Sequence, residues 1–173
     1  MIFKKTVLSG VFLALCILLP FLTGQIPQIG SMLSPMHIPV FICGFICGWP
    51  YAAIIGFIAP LLRHIMLSMP PLLTAVAMAF ELLAYGGFSA LFSKLLPKTN
   101  KYIYVSLIAS MFLGRIVWGA ARYIIALLTH AEFTFAAFMS GAFITALPGI
   151  ICHIIIVPIV VIAIRKAGVL NDR

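Results

Sequence analysis

The chain has 173 residues, of which 64% are apolar and only 8% are charged, and its mean hydropathy is +1.25. A soluble domain is about 45–50% apolar and about 25% charged, so a water-soluble globular protein is excluded. Disordered chains are also far more polar than this one. Since a spanning helix takes about 20 residues, the chain has room for about six spans and for no soluble domain. We therefore expect residues 1–173 to form one integral membrane domain.

Apolar runs separated by Pro, Gly and charged residues predict an all-α membrane protein with six transmembrane helices. Their expected bounds are 5–23, 37–48, 51–67, 72–92, 102–128 and 133–164. Loops are expected at 24–36 and 93–101, and Gly48-Trp49-Pro50-Tyr51 predicts a tight turn between the second and third helices. The second helix is short for a full span. The sixth is too long for a straight one, so we expect kinks at Pro148 and Pro158.

The positions of the basic residues predict the orientation in the membrane. The net charge of +8 comes from 11 Lys and Arg against three acids. Most of the basic residues form clusters at the N-terminus, around the 93–101 loop and at the C-terminus: Lys4, Lys5, Lys94, Lys98, Lys101, Arg165, Lys166 and Arg173. Six helices bring all three clusters to one side, which the positive-inside rule identifies as the cytoplasm. Both termini are then cytoplasmic, and basic residues in these positions do not indicate a nucleic-acid partner.

The four cysteines and the motif content indicate no catalytic or metal centre. Every Cys lies in apolar sequence, and although Cys43 and Cys47 are one helical turn apart, no second pair has zinc spacing. The first apolar run, 6–22, lacks a small-x-small cleavage site leading into a soluble chain, so we interpret it as a retained helix. The sequence contains no Gly-x-Ser-x-Gly elbow, no His-Glu-x-x-His and no Walker phosphate loop. We therefore expect neither enzymatic activity nor a cofactor in this chain.

Four ionisable residues fall at membrane depth, where a charge costs about 2.5–3.5 kcal/mol on insertion scales. They are Glu81 in the fourth helix, Arg115 and Arg122 in the fifth, and His153 in the sixth. Such groups must pair with one another, reach an interface or line a wet cavity.

The fifth helix carries the strongest candidate for a binding face. Arg115, Trp118, Gly119 and Arg122 have i, i+3, i+4, i+7 spacing and share one side. A guanidinium donates to acceptor-rich groups and an indole stacks on flat ones, so this face suits a small polar organic molecule. The alternative is structural: Arg115 pairs with Glu81 while Arg122 extends to the outer interface. Both interpretations hold together if the pair lines a cavity.

The sixth helix carries small and polar residues at i+4 spacing: Ala137, Gly141, Thr145, Gly149 and His153. Small residues on one face allow close helix packing in lipid, which is the simpler interpretation. The functional one is a face that leaves room for a ligand, with Thr145 as a hydrogen-bond donor. We expect His153 to be a structural hydrogen-bonding residue in the inner half of the membrane.

Three segments resemble the substrate-binding S components of energy-coupling factor (ECF) transporters. Residues 32–63 match the family's loop-to-third-helix region, with a His-Ile-Pro entry at His37 and a Gly-x-Pro-Tyr turn at Gly48. Residues 10–15 are similar to its Ala-x-x-x-Ala motif on the first helix, with Gly10 in place of the first Ala and Ala14 as the second. Residues 141–169 are similar to its last helix. The resemblance covers nearly the whole chain.

The resemblance implies a bacterial cell-membrane protein that captures a water-soluble vitamin from outside. Its pocket would be built by the loop after the first helix and by the later helices, which adds Met36 and His37 to the candidates. A transmembrane scaffold subunit and two cytoplasmic ATPase subunits would drive inward release as the S component topples in the membrane. Gly10 and Ala14 would contact the scaffold.

The sequence favours two substrate types about equally, and other water-soluble vitamins remain open. Two Arg on one face favour a carboxylate such as pantothenate, whereas Glu81 with Trp118 and Tyr85 favours pyridoxine or hydroxymethylpyrimidine. The second gains if Glu81 neutralises one Arg. The whole candidate set is Met36, His37, Glu81, Tyr85, Arg115, Trp118, Arg122 and Thr145. Other functions compatible with the sequence are an autonomous small secondary carrier or channel, and a ligand-free structural membrane subunit.

Overall fold

The computed structural model describes residues 2–23 and 26–168, and these residues are folded mainly into helices. Gly24, Gln25, Asp172 and Arg173 lie outside the described residues. In chain order the α-helices are α1 (Ile2–Leu18), α2 (Pro27–Leu33), α3 (His37–Ile46), α4 (Trp49–Leu67), α5 (Leu72–Leu95), α6 (Asn100–Thr129), α7 (Phe135–Met139) and α8 (Leu147–Lys166). Helix α1 continues as a 3₁₀ turn, Leu19–Thr23, and α7 continues as a π-helical turn, Ser140–Ile144.

Five segments of the described chain are long and apolar enough to cross a membrane: Ile2–Leu22, Trp49–Leu67, Leu72–Leu95, Asn100–Thr129 and Phe135–Lys166. The predicted all-α class is therefore confirmed. The 10 residues of α3 form a shorter apolar helix, which is about 15 Å long. This length covers about half of a 30 Å hydrocarbon core. A count of six membrane crossings would therefore have to include α3, which is the shortest of these six apolar segments.

Two element boundaries in the first half of the chain differ from the prediction. The loop expected over 24–36 contains a short helix, α2, which begins with Pro27 in its first turn. Helix α4 begins at Trp49 rather than 51, because Pro50 is tolerated in a first turn, where its missing N–H has no helical partner. The change of direction occurs one step earlier, at Gly48, whose φ of 99° is open to glycine.

The single helix predicted over 133–164 is interrupted before Pro148. Helix α7 gives way to a π-helical turn in which the Thr145 amide donates to the Ser140 carbonyl at 2.8 Å. Helix α8 then begins at Leu147, with Pro148 in its first turn and Pro158 in its interior. The proline that was expected to kink a continuous helix therefore starts a new one.

Helix α5 is central, with contacts to α3, α4 and α6. Its small residues allow backbone-to-backbone approach, as is usual in membrane helices. A Cβ on Gly86 would contact the Ala52 carbonyl of α4, and one on Gly56 would contact the Leu82 carbonyl of α5. The α4–α5 pair therefore packs with no side chain between the helices at these points.

The two ends of the helix bundle differ in charge. Lys94, Lys98 and Lys101 border the α5–α6 connection. The Arg165 guanidinium near the end of α8 donates to the Ser93 hydroxyl at 3.2 Å. The ends of α1, α4 and α6 and the starts of α3 and α5 make up the opposite end. This second end contains the cavity described below.

Gly86 and Gly87 provide a matched test of the α4–α5 contact. Gly86→Ala inserts a methyl group against the Ala52 backbone, whereas a Cβ on Gly87 meets nothing within 4 Å. We expect Gly86→Ala to destabilise the fold by about 1–3 kcal/mol, the usual cost of overpacking. Gly87→Ala should be neutral or stabilising by up to about 1 kcal/mol from helix propensity. Thermal unfolding of both variants in the same detergent measures the difference, and equal midpoints would contradict the close contact.

Candidate functional site

A cavity of about 510 Å³ lies between the ends of several helices. Its wall includes Pro20 after α1, Gln28 and Gly30 of α2, and the Ser34–His37 segment that leads into α3. Helices α4, α5 and α6 complete the wall together with the π-helical turn. Pockets of about 300–1,000 Å³ hold small organic ligands. The size of this cavity is therefore that of a small-molecule site.

The floor of the cavity contains a buried ion pair between α5 and α6. Arg115 Nη1 lies 2.8 Å from Glu81 Oε1, and Glu81 is only 1% exposed. The hydroxyl of Tyr85, one turn further along α5, donates to the same Oε1 at 2.8 Å. A carboxylate at this depth is stable only with such partners, because desolvation otherwise costs several kcal/mol. The structural and functional interpretations of Arg115 are thus compatible, since the pair lines the cavity.

Two histidines meet at one backbone carbonyl beside this pair. His37 Nδ1 lies 3.0 Å, and His153 Nε2 3.2 Å, from the Ser34 oxygen. The two imidazole rings are stacked with centroids 5.7 Å apart. His153 is therefore a structural hydrogen-bonding residue. The sequence predicts it in the inner half of the membrane, but in the structure it lies beside the cavity, away from the basic end of the bundle. The shared carbonyl ties the start of α3 to α8.

One wall of the cavity is aromatic and depends on the π-helical turn. The Trp118 ring of α6 lies on the cavity with the Arg115 guanidinium carbon 5.9 Å from its centroid. A Cβ on Gly141 would contact this indole, and the Phe138 ring centroid lies 6.3 Å from it. The turn therefore presents a glycine where the indole needs space. Thr145, at the end of the turn, also lines the cavity.

The small-residue stripe of the sixth predicted helix divides between two roles. Gly149 is buried, and a Cβ there would contact the carbonyl oxygens of Met32 and Leu33. The backbone of α2 therefore packs directly against α8 at this glycine. Gly141 and Thr145 face the cavity, and Ala137 is exposed. Packing and room for a ligand are both present, at different positions along the stripe.

The structure gathers most of the predicted site residues. Six of the eight line the cavity: Met36, His37, Glu81, Arg115, Trp118 and Thr145. Tyr85 is buried behind Glu81, which it orients. Arg122 is not among the lining residues in the described chain. Its guanidinium carbon lies 6.0 Å from the Phe133 ring centroid instead.

Arg63 is a cavity residue that the sequence analysis did not select. It is 5% exposed, and its Nη1 donates to the Ile17 carbonyl at 2.8 Å. That carbonyl lies where α1 tightens into a 3₁₀ turn containing Pro20, which has no N–H to donate. The available signal was a basic residue inside the apolar run 51–67. Gln28, Thr74 and Met78 also line the cavity and were not selected.

The site has polar groups suited to an organic ligand, and two of them are unpaired. His37 Nε2 and Arg115 Nε are buried and have no hydrogen-bond partner among the described residues. Buried polar atoms without partners are rare in native proteins. Within residues 2–23 and 26–168, no three His, Cys, Asp or Glu side chains are placed to hold a metal ion.

A family model described as "ECF transporter, substrate-specific component" matches residues 4–161. The chain belongs to this family. The match confirms the resemblance carried by residues 10–15 and 32–63, and it spans every helix that contributes to the cavity. No curated protein and no solved structure matches the chain significantly. The protein is thus an S component, the substrate-binding type of subunit in a multi-pass membrane transporter.

The buried pair of this S component can be tested by a double-mutant cycle. Arg115→Met leaves the Glu81 carboxylate buried without its charge partner, and we expect a loss of about 3–5 kcal/mol in stability. Adding Glu81→Gln removes the uncompensated charge and should restore part of that loss. Thermal unfolding of the two single variants and the double variant gives the coupling energy. Strictly additive effects would show that the pair does not stabilise the fold.

Proposed function

We propose that this S component captures a small water-soluble vitamin or vitamin precursor in the cavity, from outside a bacterial cell, and delivers it inward. The observation that carries the proposal is the buried Glu81–Arg115 pair on the floor of a cavity of about 510 Å³, at the end of the bundle opposite the basic clusters. By the positive-inside rule, that end faces outward. The cavity is then open to the side from which a nutrient arrives.

The paired charges favour a ring-shaped ligand with hydrogen-bonding groups. Glu81 neutralises Arg115, so the floor has little net charge to attract an anion. The indole of Trp118 provides a flat apolar surface beside it. A pyridine or pyrimidine such as pyridoxine or hydroxymethylpyrimidine satisfies both features.

Arg63 supports a second substrate type. Its guanidinium lines the cavity and is not paired with a carboxylate in the described chain. An acceptor group on the ligand can therefore bind there in the charge-assisted manner typical of Arg. Pantothenate, which has a carboxylate together with hydroxyl groups, is the candidate that this residue favours.

Delivery would depend on partners that supply the energy. The sequence has no ATP-binding motif, which agrees with a scaffold subunit and two ATPase subunits acting with it. Gly10 and Ala14 lie exposed on α1, and small residues there allow close approach of another helix. A toppling motion would bring the cavity to the cytoplasmic side.

Native mass spectrometry of the purified chain tests the ligand proposal directly. We expect one co-purifying vitamin-type molecule at a 1:1 ratio, without ATP. A carrier or channel would instead give uptake by this chain alone in proteoliposomes. A structural subunit would show neither a co-purifying molecule nor a thermal shift with any water-soluble vitamin.

Trp118→Ala tests the aromatic wall of the site. Removing the indole should weaken binding of the co-purifying vitamin about 10- to 100-fold, the usual effect of losing a stacked aromatic contact and its buried area. Arg122→Ala, one helical turn further along α6 and outside the cavity, should change affinity much less. Isothermal titration of both variants gives the comparison. Equal losses would contradict the assignment of the two residues.

Tryptophan substitutions on α1 separate binding from transport. Gly10→Trp or Ala14→Trp should leave vitamin binding intact, because both residues lie away from the cavity, and should abolish uptake in cells that express the complete transporter. Ile124→Trp on α6, at a position 57% exposed, is the matched control and should retain uptake. Normal uptake by both α1 variants would remove this face from the scaffold contact.

A further inference from the structure

The imidazole of His37 is held in one tautomer by its surroundings. Nδ1 lies 3.0 Å from the Ser34 oxygen, and a carbonyl oxygen only accepts hydrogen bonds. Nδ1 therefore carries the proton. In the neutral ring, Nε2 is then an acceptor with a free lone pair. This atom is buried without a partner among the described residues, in a side chain that lines the cavity.

Glu81 presents a second acceptor at the same place. Its Oε1 is occupied by the Tyr85 hydroxyl and Arg115 Nη1. Its Oε2 faces His37 Nε2 at 3.7 Å, which is longer than a hydrogen bond. Two acceptors thus lie close together, and none of the described residues donates to His37 Nε2.

Arg115 adds the complementary requirement. Its Nε is a buried donor that no acceptor reaches within the described chain. The floor of the cavity therefore lacks a donor for His37 Nε2 and an acceptor for Arg115 Nε among the described residues. Burying such atoms without partners costs about 1–3 kcal/mol each.

We propose that the ligand supplies a hydrogen-bond donor, an alcoholic hydroxyl or an amino group, to His37 Nε2, beside Glu81 Oε2. This inference rests on the proposed function, in which the cavity holds a small organic molecule. The hydroxyl oxygen, or a ring nitrogen next to an amino group, accepts from Arg115 Nε.

This assignment makes His37 and Glu81 the residues that select the ligand at the floor. A carboxylate cannot occupy the same position, because it has no donor and would face the charge of Glu81. An anionic ligand must therefore direct its carboxylate elsewhere, and Arg63 is a cavity-lining residue that is not paired with a carboxylate in the described chain. The ligands that bind most tightly should have a hydrogen-bond donor that reaches the floor of the cavity. The rest of the molecule should be flat or rich in hydrogen-bond acceptors.

The competing state is a doubly protonated His37, which would itself donate to Glu81 and leave no position for a ligand donor. Nitrogen-15 NMR of the full chain, labelled at histidine and held in lipid nanodiscs at neutral pH, distinguishes the two states. His37→Gln and His153→Gln assign the signals. We expect a bare Nε2 on His37 and, as an internal reference, the opposite tautomer on His153, whose Nε2 faces the Ser34 oxygen. A protonated Nε2 on His37 overturns the proposal.

A binding series tests the ligand side of the same contact. The probes are pyridoxine, hydroxymethylpyrimidine and pantothenate, each with analogues in which one hydroxyl or amino group at a time is replaced by hydrogen. For the probe that binds, removal of one particular donor should weaken binding about 10- to 100-fold, because a buried acceptor loses its partner. Equal affinity for the parent compound and all of its analogues overturns the proposal.

Two variants locate the effect at the floor. Glu81→Gln provides an amide N–H that can donate to His37 Nε2, so the difference between parent and analogue should shrink. Tyr85→Phe removes a donor only from Oε1 and should keep that difference. If no parent compound binds and no small molecule co-purifies, the proposed function fails. The NMR measurement is independent of that result, because it determines the His37 tautomer in the protein without a ligand.

Discussion

The contact on which the rest of the site depends is the ion pair between Glu81 and Arg115. Neither charge is stable alone at membrane depth, where burial costs about 2.5–3.5 kcal/mol on insertion scales, so each fixes the position of the other. The 2.8 Å contact joins the middle of α5 to the middle of α6. It also determines what surrounds it, since Tyr85 must donate to the carboxylate and His37 must approach its second oxygen. The polar floor of the cavity follows from the need to bury one acid.

The segment above this floor is held mainly through its backbone. The Ser34 carbonyl accepts from His37 and His153, which joins the end of α2 to α3 and α8. The carbonyls of Met32 and Leu33 approach Gly149, where a side chain would separate α2 from α8. Arg63 caps the Ile17 carbonyl and so joins α4 to the end of α1. Gln28 and Gly30 of α2 then line the cavity.

The long helices and most of the residues that line the cavity floor could be predicted from the sequence, because both depend on how residue types behave in a membrane. An apolar run bounded by Lys or Pro has few alternatives to a helix, and Glu81 and Arg115 needed each other wherever the helices placed them. The errors have local causes. Helix α2 is too short for a periodic signal, the π-helical turn has no composition of its own, and Pro148 fits the start of a helix as well as a kink. Arg63 was missed because its partner is a backbone carbonyl, which no side-chain pattern reveals.

The three basic residues outside the terminal and loop clusters have three different environments. Arg115 is paired with a carboxylate, Arg63 donates to a carbonyl, and Arg122 lies near the ring of Phe133. Each guanidinium therefore has a different neighbour within the fold, and charge at depth does not by itself identify the ligand. The atoms that the described residues leave without a hydrogen-bond partner are more specific: His37 Nε2, with its lone pair, and the N–H of Arg115 Nε. Because these atoms belong to residues that line the cavity, recognition depends on the direction of hydrogen bonds more than on net charge, and a neutral molecule with the right donor is as well suited to this floor as an ion.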